Sequence, residues 1–281
     1  MAFVHRRMLL RLPALGVVGL ALASCGQDAP VREPDGPGEG RFDYGADPSQ
    51  YGELYLPQGT PRGVVVVIHG GFWKAEYDLS LGQPLATALA AQGWAAWNIE
   101  YRRVGSGGGG GGGAPETFDD VSAAIDALAG LGVDTSTVVT LGHSAGGHLA
   151  AWAASRGRDG AWPDLVPVTH VISQAGVLDL VASERDGLGG GAAAALLGHA
   201  PGPEDAAYDP MQQVPLDQPV WCVHGKADTI VPIGQSGTYV SAATAAGAQA
   251  ELVAVEGDHF VVIDPLSPAW TEVLEILDGI G

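Results

Sequence analysis

From residue 41 onward, short apolar runs alternate with amphipathic stretches. Val64-Val65-Val66-Val67-Ile68 is an unbroken β-branched run, as expected for a strand covered on both faces. Further strands are predicted at Arg41–Ala46, Tyr51–Leu56, Trp94–Glu100, Thr137–Leu141, Val168–Gln174, Pro219–Val223 and Ala250–Val255. Between and after them, helical patterns cover Gln83–Gln92, Thr117–Ala129, Ser144–Ser155, Ser236–Ala246 and Ser267–Leu277. In Thr117–Ala129 the apolar Val121, Ile125 and Leu128 share one stripe. Regular strand–helix alternation predicts a mostly parallel sheet with helices on both faces. Asp179–Pro215, rich in small and turn-forming residues, reads as an insertion over the active-site edge.

The first forty residues follow a different pattern. His5, Arg6, Arg7 and Arg11 precede an apolar run, Leu12–Ala23, that is too short to span a bilayer, which takes about 20 residues. Residues 1–24 therefore read as a signal peptide. Leu22-Ala23-Ser24-Cys25 resembles a bacterial lipoprotein cleavage box, with Cys25 as the lipid attachment site and the membrane as a partner through it. The expected location is the extracytoplasmic face of a bacterial membrane, with secretion as the alternative. Residues 25–40 are Pro-, Gly- and acid-rich and read as a disordered tether. Residues 41–281 are then one large α/β domain.

Charge and cysteine content narrow the classes. The net charge is −19, and it becomes −22 without residues 1–24, whose three arginines have no acidic counterpart. Such a surface repels a phosphate backbone, so no nucleic-acid partner is expected. Of the two cysteines, only Cys222 falls inside the domain, so no disulfide can form within it. His170 and His199 lack metal-ligand spacing, and no metal site is predicted. The seven glycines Gly107–Gly113 satisfy a dinucleotide fingerprint trivially. Their loop is long and no Gly-Lys-Ser/Thr follows, so they read as a flexible low-complexity loop.

Gly142-His143-Ser144-Ala145-Gly146 joins a predicted strand to a predicted helix. That context makes the G-x-S-x-G pattern a nucleophile elbow, with Ser144 in a strained turn at a helix N-terminus. A serine hydroxyl needs a base, and His259 follows the last predicted strand. Asp228 lies just after the strand Pro219–Val223, where it can orient the imidazole. Asp258 is a competing orienter, but a sequence neighbour usually points elsewhere. The order Ser144…Asp228…His259 is that of the α/β-hydrolase fold. His69-Gly70-Gly71-Phe72-Trp73 follows the buried strand and can supply an oxyanion amide from Gly71 or Phe72, with Ala145 as the second donor. His69 reads as a structural hydrogen-bonder. Trp73 and Phe260 flank these pieces and are candidates for the substrate pocket, whereas Trp152 and Trp221 read as core. Such chemistry calls for no metal or organic cofactor.

These segments, with Glu100-Tyr101-Arg102 and Pro115-Glu116-Thr117-Phe118-Asp119-Asp120, resemble the esterase/lipase branch of the α/β-hydrolases. The feruloyl and acetyl xylan esterase-like domains and the kynurenine formamidases are the nearest likenesses. The resemblance implies a serine hydrolase acting on a small-molecule or carbohydrate-linked ester through an acyl-enzyme. Amidase or peptidase chemistry uses the same triad, and a non-catalytic binding module can share the scaffold.

Overall fold

A computed structural model describes residues 39–158 and 160–280. The predicted signal peptide, Cys25 and all but the last two residues of the predicted tether lie outside them. Among the described residues, no helix is long and apolar enough to cross a membrane.

Among the described residues eight strands form one sheet: β1 (Gly40–Asp43), β2 (Tyr51–Tyr55), β3 (Val64–Ile68), β4 (Ala95–Ile99), β5 (Val138–His143), β6 (His170–Gln174), β7 (Val220–Gly225) and β8 (Ala250–Val255). Their order is β1-β2-β4-β3-β5-β6-β7-β8. Pairing is antiparallel at β1–β2 and β2–β4 and parallel from β4 to β8. Among the described residues seven α-helices accompany it: α1 (Gln83–Ala91), α2 (Glu116–Asp126), α3 (Ala145–Ala153), α4 (Leu180–Arg185), α5 (Ala192–Leu197), α6 (Gly234–Ala245) and α7 (Pro268–Ile280).

The β-branched run of β3 shows why the sheet needs two covers. Val64, Val66 and Ile68 pack into one core with Val121 and Ile125 of α2 and Leu149 and Trp152 of α3. Val65 and Val67, on the opposite face, pack with Leu85 and Leu89 of α1 and Trp270, Val273 and Leu277 of α7. This is the α/β-hydrolase architecture.

Strand order reverses around β3: the chain leaves it for β4 on one side and later returns to β5 on the other. Ligands of open α/β sheets bind beyond the carboxyl ends of strands at such a point. Ile68 pairs with Gly142 there, bringing the turn after β3 beside the turn after β5.

The segment Asp179–Pro215 contains α4, α5 and three short 3₁₀ turns. The Gly107–Gly113 run is also better built than its composition predicts. The Arg103 amide donates to Gly109 O and the Gly112 amide to Arg103 O, both at 2.8 Å. Composition registers the missing side chains, but main-chain hydrogen bonds do not depend on them.

Candidate active site

Ser144 stands between β5 and α3 with φ 57° and ψ −118°. An L-residue at such a φ costs on the order of 1–2 kcal/mol. Two flanking glycines make the turn possible. A Cβ on Gly142 would strike the Gly146 carbonyl, and one on Gly146 would strike the Ile68 carbonyl. The Ser144 amide donates to Gln174 O at 2.8 Å, fixing the turn to the neighbouring strand.

His259 and Asp228 come from the loops after β8 and β7. His259 Nδ1 donates to Asp228 Oδ2 at 2.6 Å, with both side chains buried. That hydrogen bond leaves Nε2 as the free basic nitrogen. Asp228 Oδ1 accepts the amides of Ile230 and Val231 at 2.9 and 2.8 Å. Burial alone would raise the Asp228 carboxyl, but hydrogen bonds from His224, His259 and the Val231 amide outweigh it. They hold the group well below the usual carboxylate range. Asp258 instead accepts the amides of Phe260 and Val261.

Ser144 and His259 line one cleft of about 190 Å³. Its other walls are Gly71, Phe72, Tyr77, Leu81, His143, Ile230, Phe260 and Ile263. Among the described residues, no Lys, Arg, Asp or Glu lines it. His143 packs against His259 with ring centroids 4.5 Å apart and donates Nε2–H to the His259 carbonyl at 2.9 Å. Burial, and then the proximity of His259, push the His143 imidazole down to about 3, so it stays neutral.

The turn after β3 carries three successive positive φ values: Gly71 at 111°, Phe72 at 53° and Trp73 at 55°. Among the described residues, the Gly71 and Phe72 amides have no backbone acceptor. The Ala145 amide opens α3, where an N–H has no intrahelical partner. Ala145 itself is fully buried and outside the cleft lining.

Phe72 and Phe260 both face the cleft, but Trp73 does not. Trp73 is 1% exposed and meets His148 edge-on at 5.1 Å within the core. The left-handed turn directs neighbouring side chains to different sides, which corrects the pocket assignment made from proximity in sequence.

Behind the turn lies a buried polar cluster whose motif was visible but whose arrangement was not. His69 Nε2 meets Glu100 Oε1 at 3.0 Å and the His69 ring stacks on Tyr101 at 4.5 Å. Tyr101 Oη donates to the His69 carbonyl at 2.8 Å, and Arg103 Nη1 donates to Glu100. Arg102 grips Asp120 through Nε at 2.8 Å and Nη2 at 2.7 Å. Tyr77, Leu81 and Ile263 carried no signal in the sequence. His143 and Ile230 did, as members of the elbow and of the Asp228 loop.

Of the histidines set aside as metal ligands, His170 bonds Thr169 Oγ1 at 2.8 Å. His199, Glu204 and Asp205 do bring ligand-type atoms within 4.8 Å of one another. Asp205 already accepts from His199 and from the Gly202 amide.

A mainly parallel sheet with a serine elbow at its reversal point defines an α/β-hydrolase. Residues 53–242 match the BD-FAE family model, and the chain belongs to that α/β-hydrolase esterase family. It is similar to the isoprenylcysteine alpha-carbonyl methylesterase of Arabidopsis thaliana, 25% identical over 76% of this chain and 54% of that one. Esterase LipC of Mycobacterium tuberculosis is 32% identical over 41% of this chain and 29% of its own. The chain thus spans between about a third and about half of the curated relatives it matches. Among solved structures, a bifunctional GH43-CE protein of Bacteroides eggerthii superposes with TM-score 0.72 at 26% identity, over 85% of this chain and 35% of that one. Esterase 2 of Thermogutta terrifontis, phosphoramylated by tabun, gives 0.69 at 26% identity, over 88% and 94%.

Proposed function

We propose that the protein hydrolyses carboxylic esters through an acyl-enzyme on Ser144. The observation that carries this reading is the 2.6 Å hydrogen bond from His259 to Asp228 beside a strained serine elbow in the same cleft. Ser144 Oγ attacks the ester carbonyl and its proton passes to His259 Nε2. Asp228 stays ionised and stabilises the imidazolium. The amides of Ala145 and of Gly71 or Phe72 receive the oxyanion, aided by the N-terminus of α3. His259 then protonates the leaving alcohol, and water releases the acid.

The absence of charged side chains from the cleft lining supports a neutral substrate with a short apolar acyl or aryl group. A carbohydrate-linked alcohol remains compatible, in line with the GH43-CE neighbour. Hydrolysis of p-nitrophenyl acetate, with methyl ferulate and acetylated xylan as further substrates, is the direct test. Labelling of Ser144 by a fluorophosphonate is expected, as the tabun adduct of the Thermogutta esterase suggests. Faster cleavage of aminoacyl-proline amides would favour a peptidase.

We also infer export and tethering through Cys25, supported by the basic and apolar segments that precede it. Palmitate incorporation that disappears in Cys25→Ser, with release from the membrane fraction, is the expected result.

A further inference from the structure

His224, in the His224-Gly225 pair that ends β7, takes no direct part in the scheme above. Its ring is fully buried, and its Nε2 faces two oxygens that can only accept: Val231 O at 2.8 Å and Asp228 Oδ2 at 3.2 Å. Nε2 therefore carries the proton. Nδ1 lies 2.8 Å from Ser236 Oγ on α6, which donates to it. Ser236, itself fully buried, thus holds the ring in the tautomer that the acceptors at Nε2 impose.

We propose that His224, held by Ser236, is a positioning residue that clamps the Asp228 carboxylate and tempers the basicity it presents to His259. This rests on the triad reading of Ser144, Asp228 and His259. A carboxylate offers about four acceptor sites. Here Oδ1 takes two amides and Oδ2 takes the imidazole N–H of His259, while the His224 Nε2–H, donated to Val231 O, lies 3.2 Å from Oδ2. Held on both oxygens and flanked by the His224 N–H, the carboxylate cannot rotate without losing a charge-assisted hydrogen bond. Each donor also draws charge from the carboxylate, which agrees with the depressed proton affinity of Asp228. The titratable groups facing it are His224 from β7, His259 from the loop after β8 and, more distantly, His143 from the elbow. Asp258 is turned to its own loop amides.

Removing the His224 donor leaves Asp228 more basic and its attraction to protonated His259 stronger. The acid limb of kcat/KM, which reports His259, then moves to higher pH. The experiment compares His224→Leu, His224→Gln and Ser236→Ala with the unmodified protein, using p-nitrophenyl butyrate from pH 5 to 9. The acid limb is expected to rise by about half a pH unit in His224→Leu, with kcat falling roughly tenfold and KM little changed, and to rise by less in Ser236→Ala, where the ring loses its hold on α6 but keeps its Nε2–H. His224→Gln, which can return an N–H to Oδ2, restores most of both. Should His224→Leu fail to fold, the other two variants decide. A wild-type limb and kcat in folded Ser236→Ala and His224→Leu, or a limb displaced to lower pH, would overturn the proposal while Ser144 labelling left the triad intact. Absence of both labelling and ester hydrolysis in the unmodified protein would overturn both.

Discussion

His259 donates to Asp228, thirty-one residues away, at 2.6 Å, while its chain neighbour Asp258 accepts the amides of Phe260 and Val261. The two acids are therefore separable by mutation. Asp228→Asn is expected to cut kcat by roughly 10⁴-fold, because the imidazole loses the partner that sets its tautomer. Asp258→Asn should cost less than about tenfold. Steady-state hydrolysis of p-nitrophenyl acetate by the two purified variants distinguishes them.

The turn after β3 is buttressed from the insertion. Gly189, at φ 62°, lies so close to Phe72 that a Cβ there would strike its ring, and Lys74 Nζ donates to the Gly189 carbonyl at 3.2 Å. Gly189→Ala should displace Phe72 and with it the proposed oxyanion amides. A fall in kcat of about tenfold or more, with KM changed less, is expected in ester hydrolysis. An unaltered kcat in the folded variant would remove the insertion from the mechanism.

Two buried histidines make the fold sensitive to acid. Burial pushes His148 down to about 4 from its ordinary 6.5, although its hydrogen bond to the Tyr208 carbonyl opposes this. His143 is pushed down to about 3. Between these values and 6.5 the unfolded chain binds more protons than the folded one, so stability is complete above about 6.5 and declines as pH falls. By the acid end of that range His148 accounts for on the order of 3 kcal/mol and His143 for on the order of 5 kcal/mol. Tm should therefore drop between pH 7 and 4.5, and His148→Gln should flatten the drop. Calorimetry across that range is the check.

Glu100 and Arg103 form a buried ion pair behind the turn, at 3% and 4% side-chain exposure. Glu100→Gln leaves the guanidinium without its counter-charge and is expected to cost about 3–5 kcal/mol in urea unfolding. The double variant Glu100→Leu with Arg103→Leu should cost less than that single change, since both buried charges are then gone.

Much of this molecule was legible along the chain because its signals are local. The β-branched run of β3, the alternation of elements and the glycines around Ser144 are short-range patterns with short-range causes. Seven of the eight strands lie within about two residues of their predicted ends for that reason. The two helices of the insertion were missed: α5 is Ala192–Leu197, an alanine-rich run with no polar face to show a period.

Residue types and their order alone were enough to specify an α/β-hydrolase with its serine between a strand and a helix. Folding in three dimensions decided the rest: Phe72 facing the cleft while Trp73 enters the core, and His224 reaching the carboxylate that orients His259. Those outcomes depend on backbone handedness at single residues and on contacts between distant strands. A linear pattern encodes neither, because the energy of each contact exists only once both partners have arrived.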